Sequence, residues 1–164
     1  MTEPASSNES KQRSGQLAIQ KVYLKDLSYE APSTPGVFRE EWKPALEIEL
    51  GTKASALGTD NYETVLSVTV TVRSGDKTAF LVEVQQAGVF HITGFPEQAM
   101  PAILATACPN ILFPFVREVV SDVVSKAGFP QLLLAPVNFE ALYAQEMQRK
   151  QAEAAAAPAD STAH

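Results

Sequence analysis

Nucleophilic catalysis needs a nucleophile with a base in reach, and few residues of this 164-residue chain could supply the pair. There is one cysteine, Cys108, and there are two histidines, His91 near a strand end and His164 at the last position. No G-x-S-x-G elbow is present to expose a serine. Cys108 stands just before Pro109 in a small-residue helical stretch, where a cysteine behaves as a small buried hydrophobe. One cysteine and two histidines do not make a structural zinc site, and neither an EF-hand pattern nor H-E-x-x-H occurs. Gly51, Gly58 and Gly75 read as turn residues and not as a phosphate loop or dinucleotide fingerprint. The pairs Glu40-Glu41 and Glu47/Glu49 could do acid–base work, but they fall on strand or loop positions where carboxylates are normally solvated. The expectation is no enzyme, no metal and no cofactor.

The bulk numbers agree with a binding protein. With 13 Lys+Arg against 19 Asp+Glu, the formal net charge is −6 and the pI is near 4.9. That balance argues against a nucleic-acid backbone as partner, which would need clustered Lys and Arg. Basic polypeptides suit it better. At 45% hydrophobic and 20% charged the chain has material for one core and, at this length, not for two. The single cysteine excludes an intrachain disulfide, and Met1 to Gln16 holds no apolar run resembling a secretory signal. No stretch approaches the ~18 uninterrupted apolar residues of a membrane span. The expected setting is the cytoplasm, with no membrane insertion.

The elements that would position any site read as follows. Residues 1–15 form a polar arm, residues 16–148 the folded domain, and residues 149–164 an Ala-rich tail of low complexity. Leu17 to Tyr29 alternates imperfectly, with Leu17, Ile19, Tyr23, Leu27 and Tyr29 at odd positions. The prolines of Ala31 to Gly36 forbid a regular element there. Leu46, Ile48 and Leu50 alternate with Glu47 and Glu49, the two-residue period of a strand. Tyr62 to Val72 sets Tyr62, Leu66, Val68, Val70 and Val72 against Ser67, Thr69 and Thr71. A turn over Arg73 to Lys77 leads to a return strand, Thr78 to Gln86, with Phe80, Val82 and Val84 on one face. The period then becomes helical. Glu97 to Ala107 favours helix, Pro109 interrupts, and Asn110 is placed to cap a second segment carrying Leu112, Val116, Val119, Val120, Val123 and Val124. Asn138 caps a final helix with Phe139, Leu142, Tyr143 and Met147 as its stripe.

These elements predict an α+β fold, a four-stranded antiparallel sheet followed by two helices. Two helices span less area than four long strands, so one sheet face should stay wet. Two further features stand out. Aromatic and aliphatic residues crowd the connections, at Tyr29, Phe38, Trp42, Phe113, Phe115, Phe129 and Leu132 to Leu134; such residues either cap a core or line a contact surface. Asp26 and Glu30, four apart on a strand with Ser28 between, project from one face.

The run Gln20 to Pro32, QKVYLKDLSYEAP, resembles the opening strand of the SecB family of protein-export chaperones. So do Glu83 to Phe90, Cys108 to Phe115 and Phe129 to Phe139, in order and spacing, from about Gln16 to Gln148. The resemblance implies a four-stranded sheet with two helices assembled as a homotetramer, a dimer of dimers, in the bacterial cytoplasm. It implies an ATP-independent holdase that keeps unfolded secretory precursors translocation-competent and delivers them to the translocation ATPase SecA. A chaperone or scaffold of the same fold without SecA, such as a toxin–antitoxin-associated chaperone, is the alternative. Carried over by position, the client groove would be Tyr23, Phe38, Trp42, Leu46, Ile48 and Leu50, faced by Leu142, Tyr143 and Met147. The SecA-docking face would be Asp26, Glu30, Leu81 and Glu83. The polar arm, the Ala-rich tail and the loop Thr52 to Asp60 match nothing in the family pattern.

The chemistry of a holdase suits these residues. Binding many sequences requires extended apolar surface, worth roughly 25 cal/mol per Å² buried, with aromatics supplying much of it. Exposed strand edges add a way to pair with an extended client. A client longer than one site gains through multivalency.

Overall fold

The computed structural model describes residues 14–157, so most of the N-terminal arm and the end of the tail lie outside the described residues. Four strands, β1 (Gln16–Glu30), β2 (Pro44–Gly58), β3 (Asn61–Ser74) and β4 (Lys77–Thr93), make one antiparallel sheet in the order β1-β4-β3-β2. Two tight hairpins join β2 to β3 and β3 to β4. Gly75, at φ +62°, and Asp60, at φ +60°, supply the left-handed backbone these turns need. β1 and β2 are opposite edges, so the connection 31–43 must carry the chain from one to the other. It does so through a 3₁₀ turn at Gly36–Arg39 that buries Val37.

On β3 the alternation is as expected. Leu66, Val68, Val70 and Val72 are buried beneath the helices, while Ser67, Thr69 and Thr71 face the other way, half-buried. β4 runs past the expected end at Gln86, because Phe90 and Ile92 resume the buried face after Ala87 and Gly88. Gly88 has a packing reason: a Cβ there would lie 3.1 Å from Leu112 Cδ2 and 2.8 Å from Phe90. β2 likewise continues beyond Leu50, taking in most of the expected Thr52–Asp60 loop as small residues paired with β3.

β1 is where simple alternation misleads. Register shifts between Ile19 and Lys21 and between Leu24 and Asp26 are β-bulges, each of which reverses the parity of the residues after it. Leu17, Ile19, Val22, Leu24, Leu27 and Tyr29 therefore pair with residues of the helix-covered face. Tyr23 pairs with Ala87 and Asp26 with Gln85, on the open face.

The helical half is a near-continuous run. A 3₁₀ turn at Glu97–Ala99 leads into α1 (Met100–Ala105) and α2 (Ala107–Lys126), with the break at Thr106, whose φ is −123°. The expected cap at Asn110 does not form. α2 begins earlier, Pro109 sits in its first turn, where no N–H is needed, and the Asn110 N–H donates to the Thr106 carbonyl at 3.0 Å. α3 (Phe139–Ala156) starts as expected, the Asn138 side chain accepting from the Ala141 N–H at 3.0 Å. It continues past the expected boundary at residue 148. Alanine propensity sustains it, with the Arg149–Glu146 and Arg149–Glu153 ion pairs at 2.7 and 2.6 Å.

Leu112, Val116, Val120 and Val124 of α2, one helical turn apart, are fully buried against Val68, Val70, Val82 and Val84. One flank of this stripe is apolar as well. Phe115 is exposed, and Val119 and Val123 are half-buried. By length and composition Glu97–Lys126 could cross a membrane, although polar residues interrupt its apolar runs. Here it is the helix that roofs the sheet.

Candidate polypeptide-binding site

α2 roofs the two central strands, so the inner face of edge strand β2 has little above it. Leu46, Ile48 and Leu50 pair with the buried Val72, Val70 and Val68, placing them on the core face. Yet Leu46 is 48% and Ile48 40% exposed, values unusual for that face. α3 stands across from them. Between β2 and α3 lies a groove of about 810 Å³ whose apolar walls are Ile48, Leu50, Phe139, Leu142 and Tyr143. Arg149 and Lys150 form its outer lip. A second hollow of about 610 Å³, lined by Ala54, Tyr62, Met100 and Leu104, shares Thr52 and Ala105 with the first. The two form one channel along β2.

Of the expected groove residues, Ile48, Leu50, Leu142 and Tyr143 line this groove. Leu46 continues the same strand face, and Met147, exposed on α3, is not part of the groove wall. Phe38 and Trp42 stand elsewhere, on the connection into β2. Their rings lie 4.9 and 5.6 Å from that of Phe129, which also packs 4.9 Å from Phe80. Phe38 is 50% exposed and Trp42 half-buried, so this cluster shows an aromatic surface.

Tyr23 does not join them. The first β-bulge turns it to the open face, where its hydroxyl donates to Glu63. Lys25 donates to the same carboxylate at 2.7 Å. The bond from Lys25, then that from Tyr23, hold the Glu63 carboxyl below the ordinary glutamate range. The hydrogen bond to Glu63, aided by burial, pushes the Tyr23 phenol up to about 12.

Register also groups the acidic residues. Glu30 pairs with Leu81, Ser28 with Glu83 and Asp26 with Gln85, so Asp26, Glu30, Leu81 and Glu83 share the open face. Ser28 donates to Glu83 at 3.3 Å. Across the same rows, Leu81 pairs with Thr71 and Thr71 with Glu47, while Glu83 pairs with Thr69 and Thr69 with Glu49. Glu47 and Glu49 are thus on that face too, which reading each strand alone does not reveal.

Cys108 is buried beside β3, and burial, partly opposed by the Thr64 hydroxyl, pushes its thiol up to about 11. Its thiolate is disfavoured, the opposite of what a nucleophile requires. His91 lies on the open face, its Nδ1 3.1 Å from Asn61 Oδ1, so the sheet separates it from Cys108. His164 is outside the described residues.

A sheet with an apolar channel at its edge, an aromatic patch and an acidic open face suits a polypeptide-binding chaperone. The family described as "SecB: Preprotein translocase subunit SecB" matches residues 9–150. The chain is 53% identical over 148 residues to the protein-export protein SecB of Methylococcus capsulatus, covering 90% of this chain and 96% of that protein. It is 54% identical over 143 residues to that of Nitrosococcus oceani, covering 86% and 87%. Among solved structures, the Mycobacterium tuberculosis Rv1957 SecB-like chaperone, bound to a ChAD peptide from the Rv1956 HigA1 antitoxin, aligns with a TM-score of 0.63. At 16% identity it covers 74% of this chain and 91% of that one, a likeness of fold. The chain belongs to the SecB family of protein-export chaperones, which is not an enzyme class.

The Tyr23–Glu63–Lys25 network yields a pH prediction. Because the Glu63 carboxyl is lowered in the folded state, its stabilisation is complete above the unfolded glutamate pKa and is lost as pH falls through the folded value. Glu63→Gln should therefore lower the urea midpoint at pH 7, and the gap from wild type should shrink as the solution is taken below pH 4. Urea titrations across that range measure it.

Proposed function

We propose that this chain is an ATP-independent holdase of the bacterial cytoplasm that captures unfolded secretory precursors along the β2 channel and passes them to SecA. The observation that carries the reading is the exposure of Leu46 and Ile48 on the sheet face where their β3 partners, Val72 and Val70, are buried. A client segment laid there replaces water over apolar side chains at roughly 25 cal/mol per Å². The aromatic surface at Phe38 and Trp42 adds area of the same kind. No directional recognition is required, which fits a protein that must take many sequences.

In this reading Asp26, Glu30, Leu81 and Glu83 form the SecA-docking face, and their common register on the open face of the sheet supports it. A carboxylate-rich surface around an apolar centre suits a basic partner. The assembly is a homotetramer, a dimer of dimers. The exposed Phe115 on the flank of α2 supports self-association.

Two variants separate the surfaces. Trp42→Ala with Tyr143→Ala should weaken capture of an unfolded precursor several-fold while the oligomer, measured by light scattering, stays intact. Unchanged suppression of precursor aggregation would remove the client assignment. Asp26→Lys with Glu83→Lys should abolish binding to SecA, read by pull-down on its C-terminal tail, with precursor capture retained. Binding at wild-type strength would remove the docking face.

A further inference from the structure

Phe129 lies under the aromatic surface of Phe38 and Trp42; it is 95% covered in the folded chain, with 5% exposure. Three aromatic rings converge on it, those of Phe38, Trp42 and Phe80. Phe80 is rooted in the sheet core, whereas Phe38 and Trp42 lie on the connection 31–43, outside the four strands and the α-helices. Phe129 is itself held by the end of α2. The Gly128 N–H donates to the Ser125 carbonyl at 3.1 Å and the Phe129 N–H to the Val124 carbonyl at 3.3 Å, the paired bonds of a Schellman cap. Gly128 occupies its left-handed position at φ +88°.

We infer that Phe129 is a positioning residue for client capture: the capped end of α2 sets its ring, and that ring holds Phe38 and Trp42 as a preformed aromatic surface. This rests on the reading of Phe38 and Trp42 as client contacts. Freed from Phe129, the two side chains would have to be ordered when a client arrives, and affinity falls by what that ordering costs. Edge-on and tilted ring pairs add geometry that an aliphatic residue of similar bulk lacks.

Trp42 is the only tryptophan of the chain, so its fluorescence reports the cluster directly. The test compares full-length wild type with Phe129→Leu and with Ile92→Ala. Ile92, also buried, lies twelve residues from Phe80 along β4, roughly 40 Å away, and serves as a control for general loss of core packing. Phe129→Leu should shift Trp42 emission to longer wavelength, raise its quenching by acrylamide and weaken precursor binding about five- to tenfold, with the oligomer retained. Ile92→Ala should change neither emission nor affinity. Unaltered emission and affinity in Phe129→Leu, or an equal loss in Ile92→Ala, would overturn the positioning role. A shifted emission with undiminished capture would also overturn it, and, if Trp42→Ala likewise captures normally, would place the failure in the client assignment.

Discussion

The packing of one helix on two strands governs the whole surface. α2 seats Leu112, Val116, Val120 and Val124 on the inner faces of β3 and β4, and a single helix of ordinary girth, about 10 Å across, covers little more than two strands 4.8 Å apart. The edge strands are left partly roofed. On β2 the shortage of cover leaves Leu46 and Ile48 accessible on the apolar face, and α3 stands off far enough to make a channel instead of closing it. A second helix packed flat on β2 would stabilise the monomer and close the channel. Stability and accessibility compete for the same side chains.

The other side of the sheet carries the opposite chemistry. Glu47 and Glu49 on β2, Glu83 on β4, and Asp26 and Glu30 on β1 all point to the uncovered face. Alternation along each strand thus separates an apolar surface from a charged one across the thickness of one sheet. In the proposed reading, clients and a docking partner need not displace each other. The net charge of −6 also disfavours association between molecules whose apolar channels are open.

How much of this was legible follows from the periodicities. β3 alternates without interruption, and Leu66, Val68, Val70 and Val72 of its buried face are readable from the sequence, whereas the buried Thr64 is not. β1 contains two bulges, and a two-residue period carries no sign of an inserted residue; Tyr23 was therefore expected in the groove and stands on the other face. The far halves of β2 and β4 were missed because small residues, Ala54 and Ser55 in one and Ala87 and Gly88 in the other, erase the alternation that larger side chains display. The groove residues Ile48, Leu50, Leu142 and Tyr143 could be named from the family resemblance. Thr52, Ala54, Tyr62, Met100 and Leu104 could not, since their part in the channel depends on how α1 approaches β2. Phe129 shows the same limit, for its importance lies in three contacts from distant parts of the chain.

The most direct test of an open apolar channel as the working surface is a refolding experiment. A denatured secretory precursor is diluted into buffer containing this protein and no nucleotide, and recovery of its native fluorescence is followed at increasing chaperone concentration. Refolding should slow in proportion to the chaperone added and halt near stoichiometric amounts. Recovery at the same rate with and without the protein would contradict the account.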